Sequence, residues 1–153
     1  MDLLKRRAGL RIFIILVFLC LFTPFVLIAD EEASVSEPYL NVYYFRSNFR
    51  CSNCYKIEEY TKEAMEKYFQ DKLESGEIVY KVVNIDEEEN AHFIDDYGLY
   101  TKSVLLSKLK DGKEIEYKNL KKIWDYINDD ERFHSYIKEE VYGFLDGAKE
   151  ADQ

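Results

Sequence analysis

Apolar positions after residue 56 recur at helical steps. Ile57, Thr61, Ala64 and Tyr68 are spaced by four, three and four, with charged residues between them. That spacing puts them on one face of a helix of about four turns that ends near Ser75-Gly76. Just before it, Leu40-Asn41-Val42-Tyr43-Tyr44-Phe45 is a dense run of strand formers closed by a polar Arg46-Ser47-Asn48 turn, which reads as a buried strand. A second strand is predicted over 78–83, followed by Asn84-Ile85-Asp86. Asp86 can cap a helix whose first turn, Glu87-Glu88-Glu89, carries the negative charge a helix N-terminus favours. This helix should end near Tyr97, where Gly98 can take the left-handed position. A third strand follows over 104–109; Lys110-Asp111-Gly112-Lys113 then turns a hairpin into a short charged edge strand, 114–117. Leu120, Ile123, Trp124 and Ile127 mark another amphipathic helix, and Phe133, Ile137, Val141 and Phe144 a last one, parted by Asn128-Asp129-Asp130. The order β-α-β-α-β-β-α-α predicts an α/β fold, a central sheet with helices on both faces.

The N-terminal part has a different pattern. An uncharged run, 12–29, opens on Ile12 and closes on Ala29 behind Lys5, Arg6, Arg7 and Arg11. Its 18 residues are near the minimum needed to cross a bilayer core of about 30 Å. Leu27 fits poorly at the minus-three position for cleavage after Ala29, and Leu19 fits poorly before a lipoprotein Cys20. The run is therefore read as an uncleaved membrane anchor, with a cleaved secretory signal as the alternative. Basic residues before it and Asp30, Glu31, Glu32 and Glu37 after it place the N-terminus in the cytoplasm and the rest of the chain outside. The expected organisation is an anchor over 1–29, a linker over 30–38 and a globular domain over 39–147.

Composition adds a constraint on partners. The formal net charge is -9; removing the +3 of residues 1–29 (four cations against Asp2) leaves -12 for 30–153. Nucleic acid is not an expected partner of so acidic a domain, because phosphate binding wants clustered Lys and Arg.

Of three cysteines, Cys20 lies in the apolar run, leaving Cys51 and Cys54 for the domain. They fall where the first strand gives way to the first helix. Unpaired N–H groups and the helix dipole favour a thiolate at such a position. A bridge across so short a loop constrains the unfolded chain little, so the pair reads as redox or metal chemistry rather than a structural staple. His92 and His134 read as surface residues, too far from the pair in sequence for a compact zinc spacing. Two soft thiolates alone remain compatible with copper(I), arsenite or an iron–sulfur cluster shared between subunits.

A strand, then Cys51-Ser52-Asn53-Cys54 opening a helix, together with Asn84-Ile85-Asp86, Tyr97-Gly98-Leu99, Val104-Leu105-Leu106 and Lys110-Asp111-Gly112, resembles the thioredoxin superfamily over roughly 40–127. Tyr43-Tyr44-Phe45, the stretch from Cys51 to Glu58, Tyr100-Thr101-Lys102-Ser103-Val104 and Lys118 to Trp124 further resemble its nitrophenyl-compound nitroreductase subunit, or arsenic-operon F-subunit, family. The superfamily resemblance implies a three-layer α/β/α domain with a mixed four-stranded sheet, here with an N-terminal transmembrane helix and an extra C-terminal helix. It also implies thiol–disulfide exchange through Cys51 and Cys54 without a bound cofactor. In that exchange Cys51 is the attacking thiolate and Cys54 resolves the mixed disulfide.

The chain departs from the superfamily pattern at two places. Ser103 stands where the resemblance puts a cis-proline, so a trans peptide is expected there and protein-disulfide exchange on the usual pattern is in doubt. Arg50 precedes Cys51, with no obvious carboxylate to take the proton from Cys54. Arg50, Thr101, Lys102 and Ser103 are the candidate modulators of the pair. The combined expectation is a membrane-tethered, extracytoplasmic thiol–disulfide oxidoreductase or electron-transfer protein with a redox partner protein, membrane-bound partners included. A metal or metalloid carrier using Cys51 and Cys54 is the alternative.

Overall fold

In the computed structural model the described residues are 39–149, with side chains described through 146. The proposed anchor and linker, 1–38, lie outside this range. Among the described residues no helix is long and apolar enough to cross a membrane.

Four strands form one mixed sheet in the order β2-β1-β3-β4. β1 (Leu40–Arg46) pairs in parallel with β2 (Ile78–Asn84), Leu40 lying opposite Ile78. β3 (Ser103–Lys110) runs antiparallel to β1, with Val42 opposite Leu106, and β4 (Lys113–Asn119) runs antiparallel to β3. β3 alone is reversed, which is the thioredoxin-like arrangement. The β3–β4 turn has positive φ at both central residues, 52° at Asp111 and 70° at Gly112, the backbone that suits the twist of a two-residue hairpin. β4 is exposed along nearly its whole length, and its Lys113, Glu114, Glu116 and Lys118 keep that open edge charged.

Strand pleating sends alternate side chains to opposite faces. On one face Leu40, Val42, Tyr44, Val104 and Leu106 meet two helices, α1 (Ser52–Glu74) and α4 (Asp130–Lys149). α1 contributes Ile57, Ala64 and Met65, and α4 contributes Phe133, Ile137 and Val141, all fully buried. Each such side chain is worth about 1.5–3 kcal/mol relative to exposure, so this layer carries most of the fold. α1 begins four residues earlier than its apolar spacing implies. Its φ and ψ leave the helical range at Phe69 (-134°, 21°), whose ring turns in against Tyr142, 4.8 Å between centroids. Phe69, rather than Tyr68, is the fully buried residue there.

The other face is thinly covered. Phe45, Leu105 and Leu99 form a small second core, backed by Phe93 and Tyr97 from α2 (His92–Tyr97). The helix expected over 87–97 is reduced to a 3-10 turn at Glu88–Asn90 followed by this short helix, which closes on Gly98 at φ 59°. Asp86 caps neither. The helix expected around 120–127 likewise contracts to one turn, α3 (Ile123–Tyr126); Leu120 and Ile127 are buried outside it. α4 forms as its spacing predicts, Asp129 accepting the Arg132 N–H at 3.0 Å as an N-cap. His134 is not a surface residue: its ring lies edge-on to Tyr60 and its Nε2 is 3.2 Å from Glu63 of α1.

Candidate functional site

The two cysteines sit where β1 has ended and α1 begins, joined by a disulfide with their Cα atoms 5.0 Å apart. Cys51 is the N-cap of α1 in extended conformation. Its Sγ accepts the Cys54 N–H at 3.2 Å, and the Cys54 Sγ accepts the Cys51 N–H at 3.1 Å. The sulfurs thus fill the place that Ser and Glu side chains take in a capping box, satisfying donors that a helix start leaves open. Cys51 is half-buried, whereas Cys54 is fully buried. Of the two residues, only Cys51 has surface open to an incoming reagent.

The loop before Cys51 is held from β2. Asn48 N–H donates to the Asp86 carboxylate at 2.7 Å, and Asn84 Nδ2 donates to Asn48 Oδ1 at 2.9 Å. This is where Asp86 spends the charge expected to cap a helix. The Asn84-Ile85-Asp86 turn therefore fixes the approach to the dithiol rather than starting the next element.

Behind the disulfide lies a polar cluster. Tyr44 reaches across from β1 and its hydroxyl donates to the Cys54 carbonyl at 2.7 Å. Arg50 Nη2 meets Glu58 at 2.5 Å, and the guanidinium stacks over Tyr55 at 4.2 Å. Arg50 Nε is buried and finds no acceptor among the described residues. Glu58 stands one turn beyond Cys54 on the same face of α1, so a carboxylate does accompany the pair. Sequence reading missed it because the expected carboxylate was sought before Cys51 and on β1. Tyr44 and Tyr80 were missed too, since aromatic residues in strands read first as core.

Burial pushes Tyr44 up to about 12 against the opposing charge of Arg50, with Glu58 adding a smaller push upward. Tyr136 is pushed to about 12 by burial and Glu140. Burial and Glu58 push Tyr80 higher still, and burial with the Glu114 hydrogen bond does the same to Tyr97. A folded pKa above the unfolded value of about 10 gives stability that is whole below pH 10 and lost as pH rises through the folded value. We expect alkaline unfolding to begin between pH about 10 and 12, with phenolate absorbance from these four tyrosines rising together with the loss of helical circular dichroism. Full phenolate absorbance in a chain that keeps its helical signal would contradict these assignments.

The remaining candidate residues come from the 100–103 loop. The Lys102 ammonium lies 5.5 Å over the Phe49 ring, which brings this loop against the one preceding Cys51. Ser103, paired with Phe45, is buried and its hydroxyl donates to the Thr101 carbonyl at 3.0 Å. Thr101 is exposed. The described residues contain no cis peptide. No group of three or more His, Cys, Asp or Glu placed to hold a metal ion occurs among them.

No family model and no curated protein matches the chain. Among solved structures, a reduced thioredoxin pre-protein from Schistosoma mansoni is similar at 21% identity, over 60% of this chain and 79% of that one, with a TM-score of 0.37. A malarial protein is similar at 17% identity, over 52% of this chain and 79% of the other, with a TM-score of 0.36. Overlaps this loose add nothing to the strand order. The chain carries a thioredoxin-like sheet with a disulfide-linked Cys51 and Cys54 at the start of α1.

Proposed function

We propose that the chain is a thiol–disulfide oxidoreductase or electron-transfer protein that works through Cys51 and Cys54. The observation that carries this reading is the asymmetry of the pair, Cys51 partly exposed and Cys54 fully buried behind it. In the reducing direction the Cys51 thiolate attacks one sulfur of a client disulfide, and the client's other sulfur leaves as a thiolate. Cys54 then loses its proton and attacks the Cys51 sulfur, expelling the second client thiolate. Two electrons pass to the client, and the Cys51–Cys54 disulfide remains. The reverse sequence takes two electrons from a partner dithiol.

Arg50 and Glu58 are assigned to tuning this exchange. The unused buried Nε of Arg50 is a donor next to the residue where negative charge appears on reduction, and a cation there favours the thiolate. Glu58, one turn beyond Cys54 on α1, is the carboxylate assigned to the Cys54 proton. Thr101 and Lys102 are assigned to the rim facing the incoming client, and the buried Ser103 to holding that loop through the Thr101 carbonyl.

The chain is further proposed to be tethered through 12–29, with the domain outside the cytoplasm and a reductant or oxidant partner, membrane-bound partners included. The basic cluster and the uncharged run support this. The narrower likeness to the nitroreductase-subunit branch rests on residue strings alone.

An anaerobic titration of the purified full chain, read by thiol trapping, tests the reading. We expect one two-electron transition in which Cys51 and Cys54 are trapped together, on protein free of stoichiometric metal. Metal at one equivalent, lost in Cys54→Ala, would instead assign the pair to a carrier of copper(I), arsenite or a shared cluster.

A further inference from the structure

A cleft of about 620 Å³ opens beside the 100–103 loop, between that loop, the end of β4 and α3. Neither cysteine lines it. Tyr100, Tyr117 and Trp124 form aromatic walls, and the only charged side chains in its lining are Lys102, Lys118 and Lys121. No Asp or Glu lines it, although residues 30–153 carry -12 overall. Two carboxylates approach from outside the lining. Lys118 is shared with Glu140 at 2.5 Å, and the hydroxyl of Tyr97, another lining residue, donates to Glu114 at 2.7 Å. Lys102 rests on the Phe49 ring rather than on a carboxylate, and Lys121 has no ion-pair partner among the described residues. Among the described residues two positive charges are therefore left without a carboxylate partner in a strongly acidic domain.

The backbone of the loop is already in use. The Thr101 carbonyl accepts from Ser103 Oγ at 3.0 Å, and the Lys102 carbonyl accepts from the Trp124 indole N–H at 3.2 Å. A client arriving here meets side chains, and charge is the selective feature they offer. Tyr100 at the cleft is 98% exposed, and outside its lining, on either side of Cys51, Phe49 is 73% and Tyr55 57% exposed. The contact between Lys102 and Phe49 joins this rim to the loop that ends at Cys51. The surface from the cleft to the disulfide is thus continuous, aromatic and positively charged, which fits an extended polypeptide better than a small anion.

We propose that this cleft docks an acidic segment of the protein that exchanges electrons with Cys51 and Cys54, and that Lys121 and Lys102 select it by charge. The proposal rests on the exchange reading above for the identity of the partner. Opposite charge across a rim acts mainly on encounter rate and selectivity, and it is screened by salt.

The test uses the full chain in neutral detergent and two fluorescein-labelled, cysteine-free peptides, one alternating Glu with Ser and the other Lys with Ser, read by fluorescence anisotropy. The Glu peptide is expected to bind at least about fivefold more tightly than the Lys peptide, with the difference lost near 0.5 M salt. K121E should reduce the preference about threefold to tenfold, and K121Q by less. Equal affinities, a preference that survives high salt, or a K121E chain with unchanged preference would overturn the proposal. Glu-peptide binding that appears only when Asp30, Glu31, Glu32 and Glu37 are changed to Asn and Gln would give the cleft to the chain's own acidic segment and overturn it as well. In parallel, the reduced wild-type chain is mixed with neutral hydroxyethyl disulfide. If that reaction proceeds and the peptides are not distinguished, docking alone fails; if it does not proceed, the exchange reading fails whatever the peptides show.

Discussion

Cys51→Ser is expected to bring the reaction of the reduced chain with a small disulfide down to the rate of an unreactive protein, while Cys54→Ala should hold the mixed disulfide instead of resolving it. The two outcomes differ because the two sulfurs differ in access. Cys51 caps α1 and is partly exposed, at a helix start whose open N–H groups favour a thiolate. Cys54 is fully buried under Tyr44 and can reach only its neighbour. Removing Cys51 therefore deletes the nucleophile, and removing Cys54 deletes only the second step. Mass spectrometry of the quenched reaction separates the cases: Cys51→Ser should carry no adduct, and Cys54→Ala one adduct per chain. A Cys51→Ser chain that consumes disulfide at the wild-type rate would end the exchange reading, and equal adducts on both variants would end the assignment of roles.

Much of this fold was legible because its signals are local. The dense run of strand formers in β1, the helical spacing of Phe133, Ile137, Val141 and Phe144, and the Asp111-Gly112 turn each depend on residues close in sequence, and each formed as expected. Asp86 misled because a helix cap and a loop tether ask for the same side chain. The Asn48 N–H that claims it is 38 residues away, and nothing local distinguishes the two uses. The stretch around Trp124 misled differently: its apolar residues do face the core, but Leu120 and Ile127 are buried beyond a single helical turn rather than along a long one. Periodicity reports which residues are buried more reliably than it reports the backbone that buries them.

The cysteine pair was the plainest feature of the site and its electrostatic surroundings the least plain. Cys51 and Cys54 announce themselves by spacing. Arg50 and Glu58 are eight residues apart and meet only because the chain turns from loop to helix between them. Tyr44, a core residue by every sequence criterion, supplies the hydrogen bond that holds the Cys54 carbonyl. Each of these is a consequence of β1 ending directly beneath the first turn of α1.

Phe45→Ala should test the thin layer on the opposite face of the sheet, with an expected loss of about 3–5 kcal/mol of stability in chemical denaturation. The side chain is fully buried, and Phe93 and Tyr97 pack against it with centroids at 5.1 and 5.8 Å. Only Leu99 and Leu105 accompany it as buried members of that cluster, so little remains to collapse into the space. The consequence for the site follows from where this layer lies. α2 leads directly into the 100–103 loop, and Phe45 is paired with Ser103 at the loop's end. Hydrogen exchange should rise first over 92–103, while α1 and α4, packed on the other face, keep their protection. A cavity of the same kind made by Phe133→Ala is expected to cost a similar amount without that local signature, because Phe133 belongs to the large cluster under α1 and α4. If Phe45→Ala loosened the whole chain uniformly, the two faces would be one cooperative core; selective loss over 92–103 would make the small aromatic layer the part of the fold that sets the position of Lys102 relative to the dithiol.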